Sequence, residues 1–490
     1  MKIYLRGHDY QFATQQIYMC LFPNSHAEFT DTRPLEGDYA ISSLEMRDNM
    51  MFSETAIILS GKRTHGKAEF PFSETDNEED IKRVAKRAVK TSFYEAALPH
   101  LRKRPPWGAL TGIRPSKVAA VYIKDGMSVE DAAKAMERDY FVTDERARLA
   151  SVCAVRAEKM AQGTGSQDMS LYVGIPFCAS RCRYCSFVSH SIENARHLVS
   201  PYLDMLAKEL SKLGKSANEA GLRLRSIYIG GGTPTALDAS ELDFVMKKIA
   251  ENFCVRDAEE YTVEGGRPDT LTAEKIRVIK ENGATRISVN PQTMNNKILE
   301  EMDRRHTAED VVRAIEDVRR VGGLTINTDL IAGLPNDSFE SFKNSVDRMI
   351  ELSPENITVH TLALKKGSEL RREKYVLPDG EQTERMVEYA MNELGRHGFL
   401  PYYLYRQKYM SGNLENVGYS KPGYESDYNN YIMDELHTIL SAGAGGVTKL
   451  IDRENARIER IFNPKYPYEY NNAEEKIELT QKRLLEFFGC

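Results

Sequence analysis

From Leu171 onward, short apolar runs alternate with amphipathic stretches, and this alternation limits the possible folds more than any other feature of the chain. The runs Leu171–Ile175, Ser226–Gly230, Tyr261–Glu264, Arg286–Asn290, Thr325–Ile331 and Asn356–Thr361 have the length and residue types of strands. Between and after them, Leu198–Leu213, Ala239–Asn252, Ala273–Asn282, Ala308–Val321 and Phe339–Leu352 carry helical periodicity. Repeated βα units imply a parallel sheet with right-handed crossovers, and six of them predict a partial (β/α)6 barrel, open on one side. In such barrels chemistry gathers at the C-terminal ends of the strands.

Those ends hold the unusual residues. The first run leads into Cys178, Cys182 and Cys185, three of the seven cysteines, in a C-x3-C-x2-C spacing. Three close thiolates can ligate three irons of a cubane and leave the fourth open, whereas a closed electron-transfer cubane takes four cysteines. Zinc is an alternative, but it usually wants four ligands in two separated pairs. The nearest further donors, His190 and His197, do not fall at finger-like spacings. The second run enters Gly230-Gly-Gly-Thr-Pro-Thr235, which can let backbone approach a ligand and offer N–H groups to a carboxylate, or can be a tight turn. The third ends at Glu264, an acceptor for a ribose hydroxyl or an ammonium group. The fourth ends in Asn290-Pro-Gln292, with Arg304 in the next helix-forming stretch, and the fifth contains Asn327 and Asp329. Any one of these polar groups could simply cap a helix. Their placement on successive strand ends predicts a site.

The flanking regions are read more coarsely. The first 165 residues predict a separate α/β module, with strands near Lys2–Leu5, Asp38–Leu44 and Thr55–Leu59 and a helix over Glu79–Leu98. Its loop Lys103–Lys117, with the single tryptophan Trp107, is either an anion holder or a solvated loop anchored by that ring. Val129–Met160 reads as two helices, and Gly163–Gln167 as a linker. Residues 166–375 form the barrel, and 376–490 predict a mainly helical cover that ends in a helix over Lys476–Phe488. Ser441–Gly446 reads as a segment following a helix, either a close-approach loop or a C-cap.

With 490 residues, 41% hydrophobic and 28% charged content, the composition is that of a soluble globular protein of about three domains. A net charge of −6 makes no electrostatic case for nucleic acid. No apolar run reaches membrane-spanning length, and the start lacks a signal-peptide core, so a cytoplasmic location is expected. There thiols stay reduced, and Cys20, Cys153, Cys254 and Cys490 read as buried or free thiols.

Tyr172-Val-x-Ile-Pro-Phe-Cys-x3-Cys-x-Tyr-Cys185 resembles the signature of the radical S-adenosylmethionine (SAM) oxygen-independent coproporphyrinogen III oxidases and their relatives. Gly230–Pro234, Glu264, the run Arg286-Ile-Ser-Val-Asn-Pro-Gln292 and Asn327–Pro335 extend the resemblance over about half of the chain. It implies a [4Fe-4S] cluster on Cys178, Cys182 and Cys185, with SAM on the open iron. It further implies Tyr184 against the adenine, Gly231, Gly232 and Thr233 at the methionine end, and Glu264, Gln292, Arg304 and Asp329 on the methionine and ribose polar atoms. Tyr172 would face the reacting groups. The implied partners are coproporphyrinogen III or a related tetrapyrrole, and an electron donor such as flavodoxin or ferredoxin. The implied reaction is oxidative decarboxylation of propionates to vinyl groups.

Thr111–Pro115 and the C-terminal segments Tyr402–Arg406, Asn416–Tyr419 and Lys421–Glu425 resemble an auxiliary branch named coproporphyrinogen dehydrogenase. The tyrosines and Arg406 are candidates to receive a porphyrinogen and its carboxylates, or else form a packed aromatic cluster. The chain departs from the catalytic members at Gly174, where they carry histidine, at Phe187, where they carry a further cysteine, and at Asn290-Pro, where they carry Gly-Val. Phenylalanine after the third cysteine is typical of a neighbouring branch that delivers haem. Haem delivery is therefore the alternative reading, with His360 or His437 as candidate axial ligands.

Overall fold

The computed structural model describes residues 1–489 except Asn24, Glu74, Asp76 and Asp379, so Cys490 lies outside the described residues. The chain divides into two compact units, residues 1–151 with 412–414, and residues 152–411 with 415–490. The division falls inside the helix Asp144–Gln162, ahead of the Gly163–Gln167 stretch expected as a linker. Among the described residues no helix is long and apolar enough to cross a membrane.

The first unit is a five-stranded sheet in the order Glu28–Thr30, Lys2–Arg6, Tyr39–Arg47, Met50–Leu59, Lys62–Pro71. Its first three strands pair in parallel and the last three as antiparallel neighbours. Helices Gln11–Leu21 and Glu78–Ala97 supply Ile17, Tyr18, Phe93 and Tyr94 to a core shared with Ile3, Ala40 and Ile57. The strand Lys62–Pro71 was not expected. It buries only small residues, such as Thr64 and Ala68, between exposed lysines and a histidine, so it lacks an apolar alternation to read. Trp107 is buried in this unit as an anchor, and Lys90 donates to Thr111 at 2.6 Å beside it in sequence motif Thr111–Pro115.

The second unit contains the expected parallel barrel strands, labelled β1 (Asp168–Ile175), β2 (Arg223–Gly231), β3 (Glu260–Gly266), β4 (Arg286–Val289), β5 (Thr325–Ala332) and β6 (Asn356–Thr361). They pair in sequence order, all in parallel. The crossovers carry helices α1 (Ile192–Glu219), α2 (Ala239–Asn252), α3 (Ala273–Glu281) and α4 (Ala308–Val321), and α5 (Phe339–Leu352) joins β5 to β6. The starts of α2 to α5 are fixed by side-chain caps, including capping boxes Asp238–Glu241 and Thr307–Asp310. β1 and β3 are buried almost throughout, which fits a parallel sheet covered on both faces.

The C-terminal stretch carries the expected helices, among them Gly380–Arg396 and Glu474–Phe488, and adds strands that were not expected. Beside its helices it has five strands, β7 (Leu400–Tyr405), β8 (Asn416–Ser420), β9 (Thr438–Ala442), β10 (Val447–Asp452) and β11 (Arg457–Phe462). These widen the barrel sheet to eleven strands in the order β7-β8-β6-β5-β4-β3-β2-β1-β9-β10-β11. β8 pairs antiparallel with β6, whereas β9 runs parallel to β1. Ser441–Gly446 therefore begins with the last two residues of a strand and does not follow a helix. The cause is β9 itself, a five-residue run buried at every position, which periodicity alone does not distinguish from a buried helical turn.

Candidate functional site

One cavity of about 380 Å³ gathers the three cysteines with Tyr184, Gly231, Gly232, Thr233, Glu264, Gln292, Arg304 and Asp329. Most reach it from the C-terminal half of a strand or the loop beyond, and Arg304 from the segment after the helix Asn296–Glu301. Cys178 is fixed by the two-residue pairing of Phe177–Cys178 with His190–Ser191. Cys185 N–H donates to Cys182 O at 3.0 Å, closing the loop between the second and third thiols. Burial pushes the Cys185 thiol up to about 12, with Cys182 adding to the effect, and burial also raises Cys178. Thiols held protonated in this way are released as ligands by a metal, which needs the thiolate.

Gly232 lies against this loop. A Cβ there would stand 2.6 Å from Phe177 O and 2.9 Å from Cys178 Sγ, so only glycine allows the approach. Gly232 N–H donates to Ile175 O at 2.8 Å, and Thr233 N–H to Phe177 O at 2.7 Å. The N–H groups expected to await a carboxylate are thus spent in stitching the glycine segment to the cysteine segment.

Glu264 receives the hydroxyl of Tyr228, and burial is the main cause of its pKa rising to about 7, with nearby Asp329 adding to it. Gln292 has φ +68° and is clamped to β5, its N–H donating to Asp329 O and its O accepting from Ile331 N–H, both at 2.9 Å. Asp329 lies 3.7 Å from His360, which lines the same cavity. Arg304 is buried; its Nη1 donates to Tyr184 Oη at 2.8 Å and Cys182 Sγ at 3.8 Å, and its Nη2 to Asn290 O at 2.6 Å.

Among the lining residues that had no role in the sequence reading, two hold site groups in place. Tyr228, two residues before the triple glycine, holds Glu264. Arg267, three residues after Glu264, is buried and donates to Ser180 Oγ at 2.6 Å and to Cys182 Sγ at 3.9 Å. The sequence signal for Arg267 is its place just beyond the end of β3, the end at which the neighbouring strands carry their site residues.

Other candidates lie elsewhere. Tyr172 is absent from the cavity lining and stacks on Tyr228, ring centroids 6.2 Å apart, because the register pairs these two residues. Tyr228 stacks in turn on Tyr428 at 4.5 Å. Tyr403, Tyr405 and Asn416 line the cavity; Arg406 is buried outside that lining. Lys421–Glu425 lies at the opposite ends of the strands, where Arg286, the first residue of β4, donates to Tyr424 O and Glu425 O. His437 is buried against Ser170 at 2.7 Å, and burial pushes its pKa down to about 3. At Gly174 a side chain would be tight: a Cβ would stand 3.1 Å from Ala444 O and 3.4 Å from the Tyr172 ring, so these neighbours must give by a few tenths of an ångström to admit one.

The donor set suits an anionic cluster. Two buried guanidiniums and the Thr233 hydroxyl, 3.5 Å from Cys178 Sγ, face the thiols, while Arg304 Nε and Asn290 Oδ1 are buried without a partner. Among the described residues no three His, Cys, Asp or Glu side chains converge as a single ion requires. A cubane takes each thiolate on a different iron, so its ligands stand apart.

Residues 172–349 match the radical SAM superfamily model. The oxygen-independent coproporphyrinogen-III oxidase-like protein HemZ of Bacillus subtilis is 38% identical over 84% of each chain. The chain belongs to the radical SAM family of coproporphyrinogen oxidase-like proteins. The heme chaperone HemW of Bacillus subtilis is 30% identical, over 65% of this chain and 87% of its own. The coproporphyrinogen III oxidase HemN of Escherichia coli, a radical SAM enzyme, has a similar fold, with TM-score 0.52 and 21% identity over 66% of this chain and 73% of that one. Radical SAM proteins use a [4Fe-4S] cluster and SAM, and the cysteine loop of this chain carries the spacing for that cluster.

Proposed function

We propose that the chain is an oxidoreductase that decarboxylates propionates of coproporphyrinogen III, or of a closely related tetrapyrrole, to vinyl groups without oxygen. One observation carries this reading: the cluster loop, the strand-end polar residues and the C-terminal Tyr403, Tyr405, Gln407 and Asn416 line a single cavity. The 38% identity to a coproporphyrinogen-III oxidase-like protein supports the substrate class.

Cys178, Cys182 and Cys185 would hold the cluster, and Tyr184, Gly231, Gly232, Thr233, Glu264, Gln292, Arg304 and Asp329 the SAM. When bound, this pair supplies one-electron hydrogen-atom abstraction, the first electron arriving from a carrier such as flavodoxin or ferredoxin. Because the N–H groups of Gly232 and Thr233 are engaged, the carbonyls of the glycine segment are what remain for the methionine ammonium. Glu264, which accepts from the Tyr228 hydroxyl and from the Gly231 backbone, would offer its remaining lone pairs to the ammonium or a ribose hydroxyl. Lys365, which burial makes easier to deprotonate, lines the cavity as a partner for a propionate. Each propionate loses one hydrogen atom, CO2 and one electron, the electron passing to an acceptor.

Two departures favour haem delivery as a second reading. Phe187 is 64% exposed beside the cluster loop, and Gly174 supplies no side chain at a position where one would be tight against Ala444 O. His360, in the cavity, would then be the axial ligand. The test is anaerobic: reconstituted protein, SAM, a reductant and coproporphyrinogen III, with 5′-deoxyadenosine and porphyrin products quantified. Vinyl products that vanish in Cys182→Ala establish the oxidase. SAM cleavage that leaves coproporphyrinogen untouched, with stoichiometric haem binding lost in His360→Ala, replaces it with haem delivery.

A further inference from the structure

We infer that Arg267 sets the reduction potential of the cluster by donating a hydrogen bond to the thiolate of Cys182. The inference needs the cluster but not the tetrapyrrole, so it stands or falls apart from the proposed reaction.

The geometry separates two jobs within one guanidinium. Nε and Nη2 donate to the two carboxylate oxygens of Asp269, at 3.0 and 2.9 Å. That bidentate fork fixes the plane of the group and leaves Nη1 to face the cysteine loop. Nη1 donates to Ser180 Oγ at 2.6 Å, to Ser180 O at 3.3 Å and to Cys182 Sγ at 3.9 Å. The side chain is buried, at 3% exposure, where such a bond is electrostatically stronger than in water. Arg304 donates to the same sulfur at 3.8 Å. Cys182 thus has two guanidinium donors, whereas Cys178 has the neutral hydroxyl of Thr233.

A second observation shows the arrangement to be electrically specific. His306, packed 3.8 Å from Asp269, is pushed down to a pKa of about 3, first by burial and then by Arg304, so it stays neutral. The local charges are then Arg267 and Arg304 against Asp269, a net positive corner next to one thiol. Reduction adds one negative charge to a cluster, and donors to its sulfurs and nearby positive charge favour the reduced form. Asp269 offsets much of the charge of Arg267, so Arg267 contributes mainly through its directed N–H group.

The test is an EPR-monitored redox titration of the reconstituted full-length protein without substrate, comparing wild type, Arg267→Gln and Arg267→Lys. Arg267→Gln is expected to lower the reduced-to-oxidised ratio about tenfold at a fixed potential, a shift of about 59 mV to the negative for this one-electron couple. Arg267→Lys keeps the charge but loses the fork, and is expected to fall between the two. Iron content and circular dichroism accompany each titration. An unchanged potential in the clusters that remain, with lower iron loading or lower stability, would overturn the inference and leave Arg267 as a brace between Asp269 and Ser180. If Arg267→Gln does not hold a cluster, the lysine variant decides: a wild-type potential refutes the inference, and a negative shift upholds it.

Discussion

The two sides of the cavity are built on different principles. On the barrel side three charged groups are pinned by partners: Arg304 by Tyr184 and Asn290, Arg267 by Asp269, Glu264 by Tyr228. On the C-terminal side Tyr403, Tyr405, Gln407, Asn416 and Asn429 present rings, hydroxyls and amides, with no ionised group among those five. The first suits a ligand of fixed charge and fixed position, because pinned donors need no reorganisation when it binds. The second suits a flat, largely neutral macrocycle, whose recognition is spread over many weak contacts. Changes on the barrel side should therefore be severe and specific to cluster or SAM, and changes on the C-terminal side graded and confined to substrate.

The largest expected effect is Cys182→Ala, which removes one cluster ligand and the sulfur shared by both arginines. Cluster absorbance and 5′-deoxyadenosine should fall to the no-enzyme background. SAM cleavage that persisted would break the assignment of the whole barrel side. Next is Glu264→Gln. Losing a charge-assisted bond costs about 1.5–3 kcal/mol, so the Kd for SAM should rise on the order of ten- to a hundredfold in calorimetry. The wild type should imitate part of this loss in acid. The carboxyl of the free protein titrates near 7, and an ammonium ligand requires the ionised form. SAM affinity is therefore complete above pH 7 and declines below it, approaching tenfold per pH unit, while Glu264→Gln should be flat across that range. A wild-type affinity independent of pH from 6 to 8 would remove Glu264 from the SAM contacts.

A third change probes the seam between the sides. At Gly174, β1 meets the Gly443–Gly446 turn that follows β9, and a side chain there meets Ala444 O. Overpacking of this kind costs about 1–3 kcal/mol, so Gly174→His should lower Tm by several degrees and restore no activity. A variant with the wild-type Tm would show that this loop can move aside.

What the sequence disclosed follows the same division. The six barrel strands were legible because β1 to β6 are buried runs bounded by amphipathic helices, and the ends of those runs marked where polar residues collect. Tyr172 was misplaced because spacing from Cys178 gives distance along the chain, whereas its ring direction is set by register with Tyr228. Arg267 escaped notice because an arginine after two glycines looks like a solvated turn until Asp269 and Cys182 are seen around it. The C-terminal strands escaped because their partners are distant: β9 pairs with β1, more than 260 residues earlier, and no local pattern records that. Lys421–Glu425 resembles its family as well as Tyr403 does, yet it lies at the other end of the strands. Resemblance in sequence does not tell which end of a barrel a segment visits.

The smallest effect is the one that tests the comparison most directly. Tyr405 lines the cavity, and burial raises its pKa, so its hydroxyl stays neutral through the physiological range. Tyr405→Phe keeps the ring and removes one neutral hydrogen-bonding group. Such a bond is worth about 0.5–1.5 kcal/mol, which corresponds to a rise in KM for the tetrapyrrole of about two- to tenfold. SAM affinity and substrate-free SAM cleavage should not change, because nothing in the pinned set around Arg304 and Glu264 touches this hydroxyl. Steady-state kinetics with porphyrinogen varied, beside calorimetry with SAM alone, separates the two quantities. An equal loss in both would mean that the two sides act as one network. A loss in KM alone means that the C-terminal strands read the substrate while the barrel holds the chemistry.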